Sequence, residues 1–204
     1  ATAPEAVVTA ARPRGGYRLV AIGTSTGGPN AVVDVLGGLP SSFPLPILLV
    51  IHIGRAFAAG FADWLGGQSP LPVSLATDGM RLPEPGRGGL IMAPADVHLV
   101  VHGGVLRLTC DAERHSCRPS VDVLFESIAR ELGRSTIACL LTGMGRDGAE
   151  GLRAIRSAGG ATIAQDERTS VVFGMPREAI QLGAAERVLP LDRIGPTLND
   201  LAGG

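Results

Sequence analysis

Short apolar runs alternate with segments whose apolar residues recur at helical spacing, and the alternation begins at Tyr17. Leu19–Ile22 reads as a buried strand, and Pro29 opens a helix toward Leu36. Ile47–Ile51 is the next strand, followed by a helix over Phe57–Leu65. Thr136–Leu141 is a strand followed by a helix over Ala149–Ser157, which Gly159-Gly160 stops. Ala161–Ala164 is a strand followed by a helix over Pro176–Leu182, which Gly183 stops. Proline suits a helix start because its φ is already helical, and glycine suits the position past the end because it tolerates φ > 0. Continuous apolar strands alternating with helices predict an α/β fold, a doubly wound, mostly parallel sheet with helices on both faces.

Two passages interrupt this rhythm. Pro70–Pro94 is dense in proline and glycine, with brief strands near Val73–Ala76 and Leu90–Met92. His98–Val101 and Val105–Thr109 flank His102-Gly103-Gly104 and predict an added antiparallel hairpin. After Ser120, which can cap a helix, Val121, Leu124, Ile128 and Leu132 form one apolar stripe that Gly133 ends. Asp122 falls in the favourable first turn, and Glu126 and Arg130 are spaced to pair at i,i+4. Residues Ala1–Gly16, rich in Ala, Pro, Arg and Gly, have no period and predict a tether, leaving residues 17–204 as one folded domain.

A chain of 204 residues can bury a substantial core without disulfides or metal. Its formal net charge of -1 argues against a dedicated nucleic-acid binder. All 18 basic residues are Arg, which excludes a Schiff-base lysine, a Ser–Lys dyad and a Walker-type phosphate lysine. Cys110, Cys117 and Cys139 are odd in number and form no C-x-x-C pair; Cys110 and Cys117 flank His115 but fall short of a zinc-ligand set. Neither a metal nor a cofactor is expected, and the setting expected is reduced and cytoplasmic. No run approaches the ~20 apolar residues of a membrane span.

In open α/β sheets ligands bind beyond the carboxyl ends of the strands. Ser25 follows the first strand within Gly23-Thr24-Ser25-Thr26-Gly27-Gly28, a match to Gly-x-Ser-x-Gly, where small neighbours let a substrate approach the hydroxyl. His52 follows the second strand, Thr142 to Gly148 follow the strand after the hairpin region, and Gln165 and Asp166 follow the last one read. A serine, a histidine and an aspartate on one sheet edge are the groups of a hydrolytic triad. His98 and His115 compete with His52. Asp166 competes with Asp147, and strand-end logic does not separate them, although the Gly-flanked turn favours Asp147. The order Ser, His, Asp differs from that of the α/β-hydrolases. A phosphate or nucleotide cradle at the start of the first helix, and a catalytically silent docking domain, are the alternatives.

At these residues the chain resembles the catalytic domain of the chemotaxis protein-glutamate methylesterases, the CheB family. The resemblance rests on Ala21–Gly28, His52, Asp78-Gly79, Pro85-Gly86, Ala93-Pro94, Arg118-Pro119-Ser120-Val121-Asp122, Leu141–Gly148 and Phe173-Gly174-Met175-Pro176. It implies Ser25 as nucleophile, His52 as base and Asp147 as the carboxylate that orients the base. It also implies the amides of Thr26 and Met144 as oxyanion donors. Arg118 is a candidate substrate-face residue, its other reading being a surface cation or a contact at the start of a helix. The implied substrates are methyl-glutamyl esters on the cytoplasmic helical bundle of chemoreceptors, and for many members receptor glutamines as well. An N-terminal receiver domain, which Ala1–Gly16 cannot be, is the expected partner in an intact protein. Neither nucleic-acid binding nor membrane insertion is implied. The segment around the base, Ile51-His52-Ile53-Gly54, departs from the family's His-Met-Pro.

Overall fold

Each strand sends alternate side chains to opposite faces, and this divides the interior into two cores. In β1 (Leu19–Thr24), Val20 and Ile22 join one core while Leu19 and Ala21 join the other. A computed structural model describes residues 16–203; the predicted tether lies outside the described residues except for Gly16. The order along the chain is β1, α1 (Gly28–Gly37), β2 (Pro46–Ile51), α2 (Arg55–Gln68), β3 (Val73–Leu75), β4 (Gly89–Met92), β5 (His98–His102) and β6 (Val105–Thr109). Then come α3 (Val121–Glu131), β7 (Thr136–Leu140), α4 (Ala149–Ser157), β8 (Ala161–Gln165), α5 (Met175–Gln181), β9 (Arg187–Leu189) and α6 (Leu191–Ala202).

The main sheet has seven parallel strands in the order β3-β4-β2-β1-β7-β8-β9. Helices α1, α2 and α6 cover one face, and α3, α4, α5 and the antiparallel β5–β6 hairpin cover the other. The doubly wound fold with its added hairpin is therefore as expected. The chain works outward from β1 through β2 to the edge strand β3, steps back to β4 between them, and then returns to β7 on the other side of β1. The topological switch point lies between β1 and β7, where such folds place their ligands.

The two brief strands expected in the proline-rich passage are β3 and β4, and both continue the parallel sheet. The last strand and helix, β9 and α6, were not anticipated. Gly195 and Pro196 both lie inside α6. Gly195 serves close packing: a Cβ there would lie 2.9 Å from Gly38 Cα at the end of α1.

α3 follows its pattern, with Leu124, Phe125 and Ile128 fully buried, each contributing about 1.5–3 kcal/mol relative to exposure. Ser120 caps it by accepting from the Val123 amide at 3.4 Å. The expected Glu126–Arg130 pair is replaced. Glu126 takes Arg114 through two contacts of 2.8 and 2.7 Å, a forked geometry that outcompetes a solvated i,i+4 pair. Among the described residues no helix is long and apolar enough to cross a membrane.

Candidate active site

Ser25 stands one residue beyond β1 and His52 one beyond β2. The parallel register pairs Thr24 with Ile51, so the two side chains start from adjacent strand ends. The His52 amide donates to the Thr24 carbonyl at 3.1 Å, and the Ser25 amide to the Thr142 carbonyl beyond β7 at 3.0 Å. Ser25 is thus held across the switch point. A Cβ on Gly143 would approach the Ser25 Cβ at 2.9 Å, so the glycine keeps this turn against the end of β7.

Thr142 ties the loops together. Its amide donates to the buried Gln165 Oε1 at 2.8 Å, its hydroxyl donates to the Thr26 carbonyl at 2.9 Å, and that hydroxyl accepts from the Val172 amide at 3.0 Å. The turn after Ser25 is therefore anchored to β7, β8 and the loop before α5. Among the described residues the amides of Thr26 and Met144 have no hydrogen-bond partner. The Gly28 amide is engaged by the Ser25 carbonyl at 2.8 Å and Pro29 has none, which leaves little of an anion cradle at the start of α1.

Asp147 is buried in the loop between β7 and α4, at the N-terminus of α3. Its Oδ1 accepts from Ser120 Oγ at 2.7 Å and the Asp122 amide at 3.1 Å. Its Oδ2 accepts from the Val121 amide at 2.7 Å and lies 2.9 Å from His52 Nε2. Burial acts to raise the Asp147 pKa, but the bonds from His52, Ser120 and the two amides outweigh it and hold the group below the usual carboxylate range. Burial acts to lower the pKa of His52, yet Asp147 and the neighbouring Cys117 thiol raise it to about 9.

Two glycines allow this approach. A Cβ on Gly23 would overlap Val121 Cγ1, and one on Gly148 would lie 2.7 Å from the same atom. The first glycine of Gly-x-Ser-x-Gly lies inside β1, where it admits the start of α3.

The rival residues have other partners. His98 is buried, with Nδ1 accepting from the Ser120 amide at 3.1 Å and Nε2 donating to the Ala112 carbonyl at 3.1 Å. His115 meets the buried Asp122 at 3.1 Å. Asp166 closes its own turn, accepting from the Thr169 amide at 3.0 Å and hydroxyl at 2.5 Å. Arg118 donates to the carbonyls of Cys110 and Asp111 at 3.3 and 3.1 Å, tying down the loop ahead of α3.

One contact went unread in the sequence. With Nε2 held by Asp147, the other ring nitrogen of His52 lies 3.7 Å from Cys117 Sγ; among the described residues Ser25 Oγ makes no hydrogen bond to that ring. Cys117 follows a tight turn closed by two hydrogen bonds with Arg114, in which His115 and Ser116 both have positive φ, 53° and 59°. A cleft of about 730 Å³ opens on the Cys117–Asp147 flank, bounded by Met144, Arg146 and Phe173. Met144 stands exposed at the rim, and the exposed Val171 packs over Gly27 of the serine turn.

A family model described as CheB methylesterase matches residues 20–198. A protein-glutamate methylesterase/protein-glutamine glutaminase of Burkholderia lata is 51% identical over 195 residues, which cover 95% of this chain and 57% of that protein. A protein of the same description from Anaeromyxobacter dehalogenans is 52% identical over 184 residues, covering 90% and 53%. The chain thus spans little more than half the length of these relatives. The crystal structure of the Thermotoga maritima CheB methylesterase catalytic domain superposes with a TM-score of 0.84 at 38% identity, covering 91% of this chain and 98% of that one.

Proposed function

Because the chain belongs to the CheB methylesterase family, we propose that it is a serine hydrolase that removes methyl esters from glutamate side chains of chemoreceptors in the cytoplasm, with residues 17–204 as its catalytic unit. The observation that carries this reading is the pairing of buried Asp147 with part-buried His52 at the sheet's switch point, one strand from Ser25. Asp147 Oδ2 holds the proton on His52 Nε2, so the lone pair needed for base catalysis falls on Nδ1. Catalytic hydrogen bonds often tighten only when substrate is bound, so the Ser25 hydroxyl need not touch that nitrogen in the free protein.

Ser25 Oγ then attacks the ester carbonyl while its proton passes to Nδ1. The amides of Thr26 and Met144 receive the oxyanion, each donor contributing about 2.7–4 kcal/mol in comparable sites. Collapse of the tetrahedral species breaks the C–O bond, and the departing methoxide takes the proton from Nδ1 as methanol. Water, deprotonated by the same nitrogen, releases glutamate from the acyl-enzyme. A glutamine amide can follow the same course with ammonia as leaving group, and relatives carry the glutaminase description. Exposed Met144 at the rim, and exposed Val171 over the serine turn, give a helical protein substrate an apolar edge to rest on. The decisive experiment measures methanol release from methylated receptor membranes. Ser25→Ala is expected to abolish it while the folded state persists, and retained turnover refutes the assignment.

A further inference from the structure

The nitrogen assigned as the base has a cysteine sulfur as a hydrogen-bond neighbour. Tetrahedral zinc, with bonds of about 2.3 Å to sulfur and 2.0–2.1 Å to nitrogen, sets two such donors roughly 3.5 Å apart. The Cys117 Sγ–His52 Nδ1 separation is 3.7 Å. The opposite nitrogen, Nε2, is bonded to the buried Asp147 carboxylate at 2.9 Å, the outer partner that metal-binding imidazoles commonly have. His52, Cys117 and Asp147 present their donor atoms within 4.8 Å of one another. Asp147 already takes Ser120 Oγ and the Val121 and Asp122 amides, which keeps it in the outer role. A second cluster of His115, Asp122 and Asp147 is less suited: His115 Nδ1 accepts from Arg146 at 3.2 Å, and Asp122 is engaged by the Gly151 amide at 2.6 Å.

We propose that Cys117 Sγ and His52 Nδ1, backed by Asp147, bind a soft divalent cation of the Zn²⁺ class, and that occupancy arrests the hydrolase. On binding, the thiol proton, and the Nδ1 proton where it is present, pass to solvent, and two metal–ligand bonds form. The remaining positions open on the cleft and are filled by water. With its Nδ1 lone pair in the metal bond, His52 has no site left to accept the Ser25 proton. The arrest rests on the proposed role of His52, whereas binding does not.

The test titrates the full chain with Co²⁺ alone and follows the thiolate-to-cobalt charge-transfer band in the near ultraviolet; Zn²⁺ alone is then added to displace it. In parallel, Zn²⁺ is titrated into the ester-hydrolysis assay and removed with a chelator. Wild type is expected to show the band and reversible inhibition. Ser25→Ala, though inactive, keeps the band. Cys110→Ser keeps it too, and the fully buried Cys139 supplies no ligand in any variant. Cys117→Ser loses the band and raises the Zn²⁺ concentration for half-inhibition by at least about tenfold, the scale that even an outer partner of a metal ligand commands. His52→Gln weakens Co²⁺ binding without relying on activity. Absence of the band in wild type, or its persistence in Cys117→Ser, overturns the site. A band with unimpaired turnover under saturating Zn²⁺ leaves the site standing and refutes His52 as the base.

Discussion

Gly23→Ala tests how the active site is held together, because it adds one methyl where α3 meets β1. That methyl would overlap Val121 Cγ1 and lie 2.9 Å from Cγ2 and 3.1 Å from Cβ. Carbon atoms prefer separations of about 3.5–4.0 Å, so Val121 must retreat by roughly 1 Å or more. Overpacking of this kind costs about 1–3 kcal/mol. The Val121 amide is also the 2.7 Å donor to Asp147 Oδ2, the oxygen that orients His52. Displacing the start of α3 by ~1 Å therefore reaches the base, and such a misplacement can lower activity on the order of 10²-fold. Val121→Ala alone removes two buried methyl groups, costing about 2 kcal/mol. In the double variant the new methyl occupies the space Val121 vacates, leaving only the 3.1 Å approach to Cβ. The double variant is expected to be more stable than the sum of the two single losses predicts, by about 2 kcal/mol, and more active than Gly23→Ala. Denaturant unfolding of all four proteins, with ester turnover on each, completes the cycle. Simple additivity, or a Gly23→Ala protein as active as wild type, refutes the claim that this glycine exists to admit Val121.

Three further outcomes are expected. Asp147→Asn should lower kcat by about 10⁴, the loss seen when a triad carboxylate is replaced, whereas Asp166→Asn, altering a separate turn, should leave kcat within about tenfold; the reverse ranking in steady-state kinetics would identify the wrong carboxylate. Because the His52 proton is held to about pH 9 and only the neutral ring can act as base, kcat/KM should climb with pH across the neutral range. Cys117 contributes to that hold, so Cys117→Ser should shift the rising limb to lower pH; a flat profile between pH 6 and 8 in wild type contradicts this. Ser120→Ala removes both the α3 cap and a 2.7 Å bond to Asp147, and unfolding measurements should show a loss of about 1–3 kcal/mol.

The alternation of apolar runs and helical stripes was enough to give the layered parallel sheet, because strands buried on both faces have few other solutions. Strand-end reasoning was also enough to place Ser25 and His52 on one edge, since parallel strands share an orientation. The edge alone left Asp147 and Asp166 level. The glycine-flanked turn and the family resemblance favour Asp147, and the fold supplies the physical reason: one carboxylate enters the amides of α3 and the other turns back on Thr169. The same holds for Gly23, whose reason lies in a valine 98 positions along the chain, and for Cys117, whose partner lies 65 positions away. α6 carries Gly195 and Pro196, both unfavourable in an isolated helix, and close packing against α1, which favours the glycine, exists only in the folded chain. Local patterns encode which residues are buried and where elements end, because those depend on the chain's immediate chemistry. Which buried groups meet, and which nitrogen of His52 faces Asp147, depends on how helices dock across the sheet, and that geometry belongs to the folded molecule alone.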